Sequence, residues 1–118
     1  MKTDLLFPCA VQDVITDSNV GRVQARFVCE GANGPITRSA RYALDVRGIP
    51  LVPDFIANCG GVIAAFVELT SSGNDKPAEA KRLTRKKIEG NVRALFELVE
   101  KFRVTPEEAG LYMALSKI

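Results

Sequence analysis

Two asparagines, Asn33 and Asn58, stand in short loops built mostly of small residues, Glu30-Gly31-Ala32-Asn33-Gly34-Pro35 and Asn58-Cys59-Gly60-Gly61. A side-chain amide carries a donor and an acceptor at once, and glycine lets another molecule approach the backbone where a Cβ would block it. Pro35 stiffens the exit from the first loop. A third loop, Pro8-Cys9-Ala10, has the same small-residue character. The chemistry open to these residue types is recognition of polar ligand groups by neutral hydrogen bonding. Nucleophilic or acid–base chemistry has less to stand on, because histidine is absent and Cys9, Cys29 and Cys59 have no imidazole to activate them. Their odd number and wide spacing speak against a disulfide scaffold or a zinc site. Each cysteine lies at the end of an apolar run, where a small buried residue is expected.

The elements that must position these loops follow from the apolar pattern. Residues 4–10 form a short continuous apolar run, expected as a strand buried on both faces. Residues 25–29 form a second, and residues 49–55 a third that Pro50 and Pro53 cut to a short central piece. Between the first two, residues 11–20 suggest one or two helical turns. Between the second and third, Thr37 is placed to cap a helix that stops at Gly48. Strands alternating with helices, over connections too long for hairpins, predict parallel strands joined by right-handed crossovers, an α/β layer. All strand C-termini then lie at one edge of the sheet, where ligands bind in open α/β folds, and the three loops converge there. On composition alone the alternative stays open that small residues merely permit tight strand-to-helix turns.

Residues 62–69 are almost wholly apolar and predict a helix buried nearly all round. Ser71-Ser72-Gly73-Asn74-Asp75 breaks it, and Pro77 opens a long helix in which Ile88, Val92, Leu95, Val99 and Phe102 recur at spacings of four and three, with Phe96 widening the stripe. Burying each of these is worth roughly 1.5–3 kcal/mol, so the helix must dock on something. Thr105-Pro106-Glu107-Glu108 reads as a capping box opening a last short helix.

A chain of 118 residues, 47% hydrophobic and 25% charged with a formal net charge of +2, has the length of one ordinary domain. That balance excludes intrinsic disorder and a strongly basic nucleic-acid surface. No apolar stretch approaches a membrane span, and Met1-Lys2-Thr3-Asp4 does not lead into a signal-peptide core, so a cytoplasmic protein with no membrane partner is expected.

Three motifs, Asp4-Leu5-Leu6-Phe7-Pro8-Cys9-Ala10, the loop from Glu30 to Pro35, and Pro53-Asp54-Phe55-Ile56-Ala57-Asn58-Cys59-Gly60-Gly61-Val62, occur in this order. Together they resemble the C-terminal cofactor-binding domain of the glutamate, leucine, phenylalanine and valine dehydrogenases, nearest the glutamate enzymes. The resemblance implies half of a Rossmann-type domain: three parallel strands with covering helices over residues 1–70, and a helical tail over residues 71–118 that packs on it or on a partner. It implies NAD or NADP as cofactor, held along Pro8, Cys9, Ala10, Gly31, Ala32, Asn33 and Asn58, with the two asparagines on the nicotinamide ribose or carboxamide. Gly61, Val62 and Ala65 would face the amino-acid substrate. The implied reaction is reversible oxidative deamination, in which a hydride passes from the substrate α-carbon to the nicotinamide and water releases ammonia from the imine. No catalytic residue or metal ligand is implied within these residues, since the family's catalytic lysine and aspartate belong to a separate N-terminal domain.

Departures from the family pattern shape the expectation. Ala65 stands where glutamate enzymes carry a serine that reaches the distal carboxylate of the substrate, and no glycine-rich dinucleotide fingerprint occurs in the sequence. By itself the chain is therefore expected to be non-catalytic, to bind dinucleotide weakly or not at all, and to self-associate through the unpaired edge of its first strand. A rival reading is a non-catalytic interaction module descended from a dehydrogenase. A further rival takes Gly31 to Gly34 as the clamp of a KH-type RNA binder, with Lys81, Arg82, Arg85, Lys86 and Lys87 as a phosphate surface. That clamp joins two helices, whereas this loop follows a strand, and Glu89, Glu97 and Glu100 balance the basic run. A solvated helix face is the preferred reading, with no nucleic-acid partner.

Overall fold

The computed structural model describes residues 2–117. Strands β1 (Lys2–Leu6), β2 (Gln24–Cys29) and β3 (Leu51–Val52) form a parallel sheet in the order β1-β2-β3. The register sets Leu6 beside Val28 and Cys29 beside Val52, so the C-terminal ends of the strands share one edge. The expected α/β architecture of three parallel strands with covering helices is what forms.

Helix α1 (Arg38–Val46) makes the crossover from β2 to β3. The Thr37 side chain accepts from the Ala40 amide at 3.4 Å, and Gly48, at a φ of +68°, ends the helix in a conformation that a side chain would strain. The crossover from β1 to β2 is leaner than expected. It holds a single 3-10 turn at Val20–Arg22, and Ile15 forms an isolated parallel bridge to Ile36 instead of a helix. After β3 come α2 (Asp54–Ala57), α3 (Gly60–Thr70), α4 (Lys76–Phe102) and α5 (Pro106–Leu115).

Two apolar clusters sandwich the sheet. Ile15, Val28, Ile36, Ala40, Leu44 and Leu51 fill the α1 side. Val52, Ile56, Leu95, Ala109 and Met113 fill the other, with Phe27 of β2 meeting Phe96 of α4 at a ring separation of 5.8 Å. The stripe on α4 docks as expected at Leu95, with Ile88, Val92, Phe96 and Val99 half-buried and Phe102 exposed.

The structure corrects several expectations. β1 begins and ends earlier than residues 4–10 and is not buried on both faces: Leu5 is 53% exposed, and the strand lies at the sheet edge with β2 as its one neighbour among the described residues. The third strand, by contrast, is as expected the short piece between its prolines, two residues long. α3 is not buried all round either. Val67 is buried, but Val62, Phe66 and Leu69 are exposed, since α3 lies along α4 on one side. Of the cysteines, Cys9 is exposed while Cys29 and Cys59 are half-buried. The α3–α4 arm lengthens the molecule, whose radius of gyration is 15.6 Å, against about 13 Å for a compact chain of this length. Among the described residues no helix is long and apolar enough to cross a membrane, and no cluster of three or more His, Cys, Asp or Glu side chains could hold a metal ion.

Candidate functional site

The parallel register brings the segment after β1 against the segment after β2. The Pro8 carbonyl accepts from the Gly31 amide at 3.2 Å and from the Ala32 amide at 3.0 Å, which extends the ladder beyond the last strand residues. The two segments approach so closely that a Cβ on Gly31 would collide with Cys9 Sγ. Gly34 turns the loop at a φ of +54°, and its amide donates to Asp54 Oδ2 at 2.8 Å.

The third loop joins the other two through the asparagines. α2 is capped at its C-terminus by Asn58, whose backbone amide donates to the Asp54 carbonyl at 2.7 Å, and whose Nδ2 donates to Asn33 Oδ1 at 2.6 Å. That bond leaves Asn33 Nδ2 as a donor and Asn58 Oδ1 as an acceptor with no side-chain or loop partner among the described residues. Each is a group that a primary carboxamide or a hydroxyl of a ligand could meet. The shelf is open, with Cys9, Ala10, Gly31 and Asn33 exposed.

A buried ion pair underneath holds this shelf in place. Glu30, fully buried, accepts from Arg41 Nε at 2.9 Å and Nη2 at 2.6 Å, and from the Asp54 amide at 2.9 Å. Arg41 also lies 3.6 Å from Asp54 Oδ1 and 3.5 Å from Glu107 Oε1. One guanidinium thus ties together the end of β2, α1, α2 and α5. Burial pushes the Glu30 carboxyl above its ordinary value, against the opposing pull of Arg41. Burial alone would lower Arg41, but the carboxylates of Glu30, Glu107 and Asp54 together outweigh it and hold the guanidinium above its usual range. Cys29, next to Glu30, is likewise raised, first by burial and then by Cys9 and Glu30.

Of the residues singled out from the sequence, Pro8, Gly31, Ala32, Asn33 and Asn58 are drawn together by hydrogen bonds, and Cys9 abuts Gly31. Ala10 is exposed beside them. Gly61, Val62 and Ala65 lie on the first two turns of α3, exposed, and no side-chain hydrogen bond links them to the asparagine pair. Sequence reasoning missed the Glu30–Arg41–Asp54 network. The available signal was a carboxylate ending an apolar strand, a position that demands a cation, with Arg41 one turn into the next helix.

Against known proteins, the profile of the glutamate/leucine/phenylalanine/valine dehydrogenases matches residues 1–118. The glutamate dehydrogenase of Aeropyrum pernix is 36% identical over 114 residues, covering 94% of this chain and 27% of that protein. The NADP-specific glutamate dehydrogenase of Saccharolobus shibatae is 40% identical over 97 residues, 80% of this chain and 23% of that one. Among solved structures, the glutamate dehydrogenase of Peptoniphilus asaccharolyticus superposes with a TM-score of 0.74 at 30% identity, over 88% of this chain and 27% of that one. The L-tryptophan dehydrogenase of Nostoc punctiforme shares the fold, with a TM-score of 0.84 at 23% identity over 96% of this chain and 34% of that one. The chain spans about a quarter of the length of these curated relatives. With the profile match running through all three loops and both terminal helices, the chain belongs to the glutamate/leucine/phenylalanine/valine dehydrogenase family.

Proposed function

We propose that the three loops form the nicotinamide-side wall of a dinucleotide cleft, and that the chain contributes this wall to an NAD(P)-dependent amino-acid dehydrogenase of the glutamate type. The observation that carries the reading is the bond between Asn58 and Asn33, which joins the two loops and leaves one amide donor and one amide acceptor for a ligand. A nicotinamide carboxamide presents the complementary pair, its carbonyl to Asn33 Nδ2 and its amino group to Asn58 Oδ1. Pro8, Cys9, Ala10, Gly31 and Ala32 then supply a surface without large side chains, along which the ribose lies. The relatives are named as NADP-specific in one case and NAD-specific in another, which supports a dinucleotide and leaves both forms within the proposal.

The bound dinucleotide would supply the hydride acceptor. The residues of this chain bind and orient: the asparagine pair holds the carboxamide and so turns one ring face toward α3, where Gly61, Val62 and Ala65 meet the substrate side chain. Ala65 cannot donate a hydrogen bond, so the substrate end of this wall is apolar. No glycine-rich phosphate loop occurs in the 118 residues, so binding by this chain alone rests on the nicotinamide end and is weak. The division into residues 1–70 as half of the nucleotide-binding unit and 71–118 as its helical tail fits this role. β1, with one edge unpaired among the described residues, is the place where a further strand joins, whether from the other half of the unit or from a second copy.

Calorimetric titration with NADH tests the half-site reading. Weak binding, abolished by replacing both Asn33 and Asn58 with leucine, is expected. Submicromolar binding, or binding indifferent to both asparagines, contradicts it.

A further inference from the structure

The solvent face of α4 carries charges that the dinucleotide site does not use. Arg82, Arg85 and Lys86 stand at its N-terminal end, Glu97 and Glu100 at its C-terminal end, and Glu89 and Arg93 between them. At spacings of three and four these residues share one side of the helix, opposite buried Leu95, and all are exposed. Arg85 and Glu89, Glu89 and Arg93, and Arg93 and Glu97 are each four residues apart, the spacing at which a helix can pair its own charges. None of them closes into an ion pair among the described residues.

The order of signs along this face is self-complementary when the helix is reversed. We infer that α4 is a docking face for a second copy of this chain, packed antiparallel about a two-fold axis at the level of Asn91. In that register Arg82 stands level with Glu100 of the second copy, Arg85 with Glu97, and Glu89 with Arg93, and the symmetry repeats every pairing. Lys86 lies beside Arg85 and meets the same acidic end. Like charges do not coincide at any of these levels. The face from Arg82 to Glu100 is about 27 Å long, and Gly90, where a Cβ would have nothing within 4 Å, keeps its middle low enough for a second helix to approach. An isologous contact needs this kind of pattern, since each patch must match itself after rotation.

The same composition disfavours a polyanion. Even with Lys81, which lines the same surface, five cations against three carboxylates leave the face only weakly positive, and it carries no exposed aromatic side chain on which a base could stack. Exposed ion pairs are individually weak, so the contact is salt-sensitive and depends on several pairs forming together. It uses neither the asparagine shelf nor the edge of β1, and stands or falls independently of the proposed function.

Charge exchange tests it on the full chain. Sedimentation equilibrium of the 118-residue protein should show dimers at low salt that dissociate at high salt. The double variant Arg82→Glu with Arg85→Glu should self-associate about tenfold more weakly, and so should Glu97→Arg with Glu100→Arg. All four positions are exposed, and circular dichroism verifies that helicity is kept. Mixing the two double variants places opposite charges at every level again and should restore the dimer. A monomeric wild-type chain, a dimer unchanged in both double variants, or a mixture that does not re-associate overturns the inference. So does retention of a single-stranded oligonucleotide, lost in Arg82→Glu with Arg85→Glu, in the absence of any dimer.

Discussion

Asn58 reaches back 25 residues to donate a 2.6 Å hydrogen bond to Asn33, and this joins the loop after β2 to the end of α2. The bond decides which amide groups remain for a ligand: an Asn33 donor and an Asn58 acceptor. Asn33 is exposed and Asn58 half-buried, so the bond itself adds modestly to stability, about 0.5–1.5 kcal/mol. Asn58→Leu is therefore expected to leave the melting temperature within a few degrees of wild type while removing dinucleotide binding. Thermal unfolding and an NADH titration on the same sample check both halves, and parallel losses would make the bond merely structural.

Gly31 is the position where space decides. An alanine there meets Cys9 Sγ, and relieving the overlap costs about 1–3 kcal/mol. Cys9→Ala removes the sulfur and should recover part of that loss. A double-mutant cycle in urea measures the coupling, and strict additivity would contradict the close approach.

Arg41 is expected to matter more for stability than any residue of the shelf. Arg41→Leu leaves the Glu30 carboxylate buried with the Asp54 amide as its remaining donor, a loss on the order of 3 kcal/mol at neutral pH. The pH dependence follows from the raised Glu30 pKa. Between the ordinary carboxylate value and the raised one, the folded chain binds more protons than the unfolded chain. The Glu30 contribution is thus fully present below the ordinary value and declines as pH rises through the folded value. Acidification should narrow the gap between Arg41→Leu and wild type, and urea unfolding at several pH values measures it. A gap that widens in acid would contradict the assignment.

Glu108 behaves in the opposite sense. Its carboxylate accepts from the Thr105 amide at 2.8 Å and hydroxyl at 3.0 Å, and these bonds hold its pKa below the ordinary value. The capping contribution is present above the unfolded pKa and is lost as pH falls through the folded one. Thr105→Ala should weaken the cap by about 1 kcal/mol and move the Glu108 titration upward, as carbon-detected NMR would show. An unchanged titration would remove the capping box from the account.

Features written in consecutive residues were the legible ones. Thr105 with Glu108, Thr37 with Ala40, and Gly48 follow from local backbone chemistry, and the structure forms them as the sequence leads one to expect. The convergence of Pro8, Gly31 and Asn58 followed from parallel topology, which needs only the alternation of strands and helices. The Glu30–Arg41–Asp54 network was not legible, because its partners are 11 and 24 residues apart and meet only once the crossover has folded. The burial of α3 was misjudged for a related reason. Val62, Phe66 and Leu69 show that the helix is apolar, but apolarity does not say what covers it.

The central claim is that the three loops are one wall of a dinucleotide cleft, and titration of the ¹⁵N-labelled chain with NADH, followed by amide NMR, tests it most directly. The account predicts shifts at the backbone amides of Cys9, Gly31, Ala32 and Gly34 and at the side-chain amides of Asn33 and Asn58, saturating only at high ligand concentration, with α4 unmoved. Silence at these amides throughout the titration, or shifts centred on α4 instead, would contradict it.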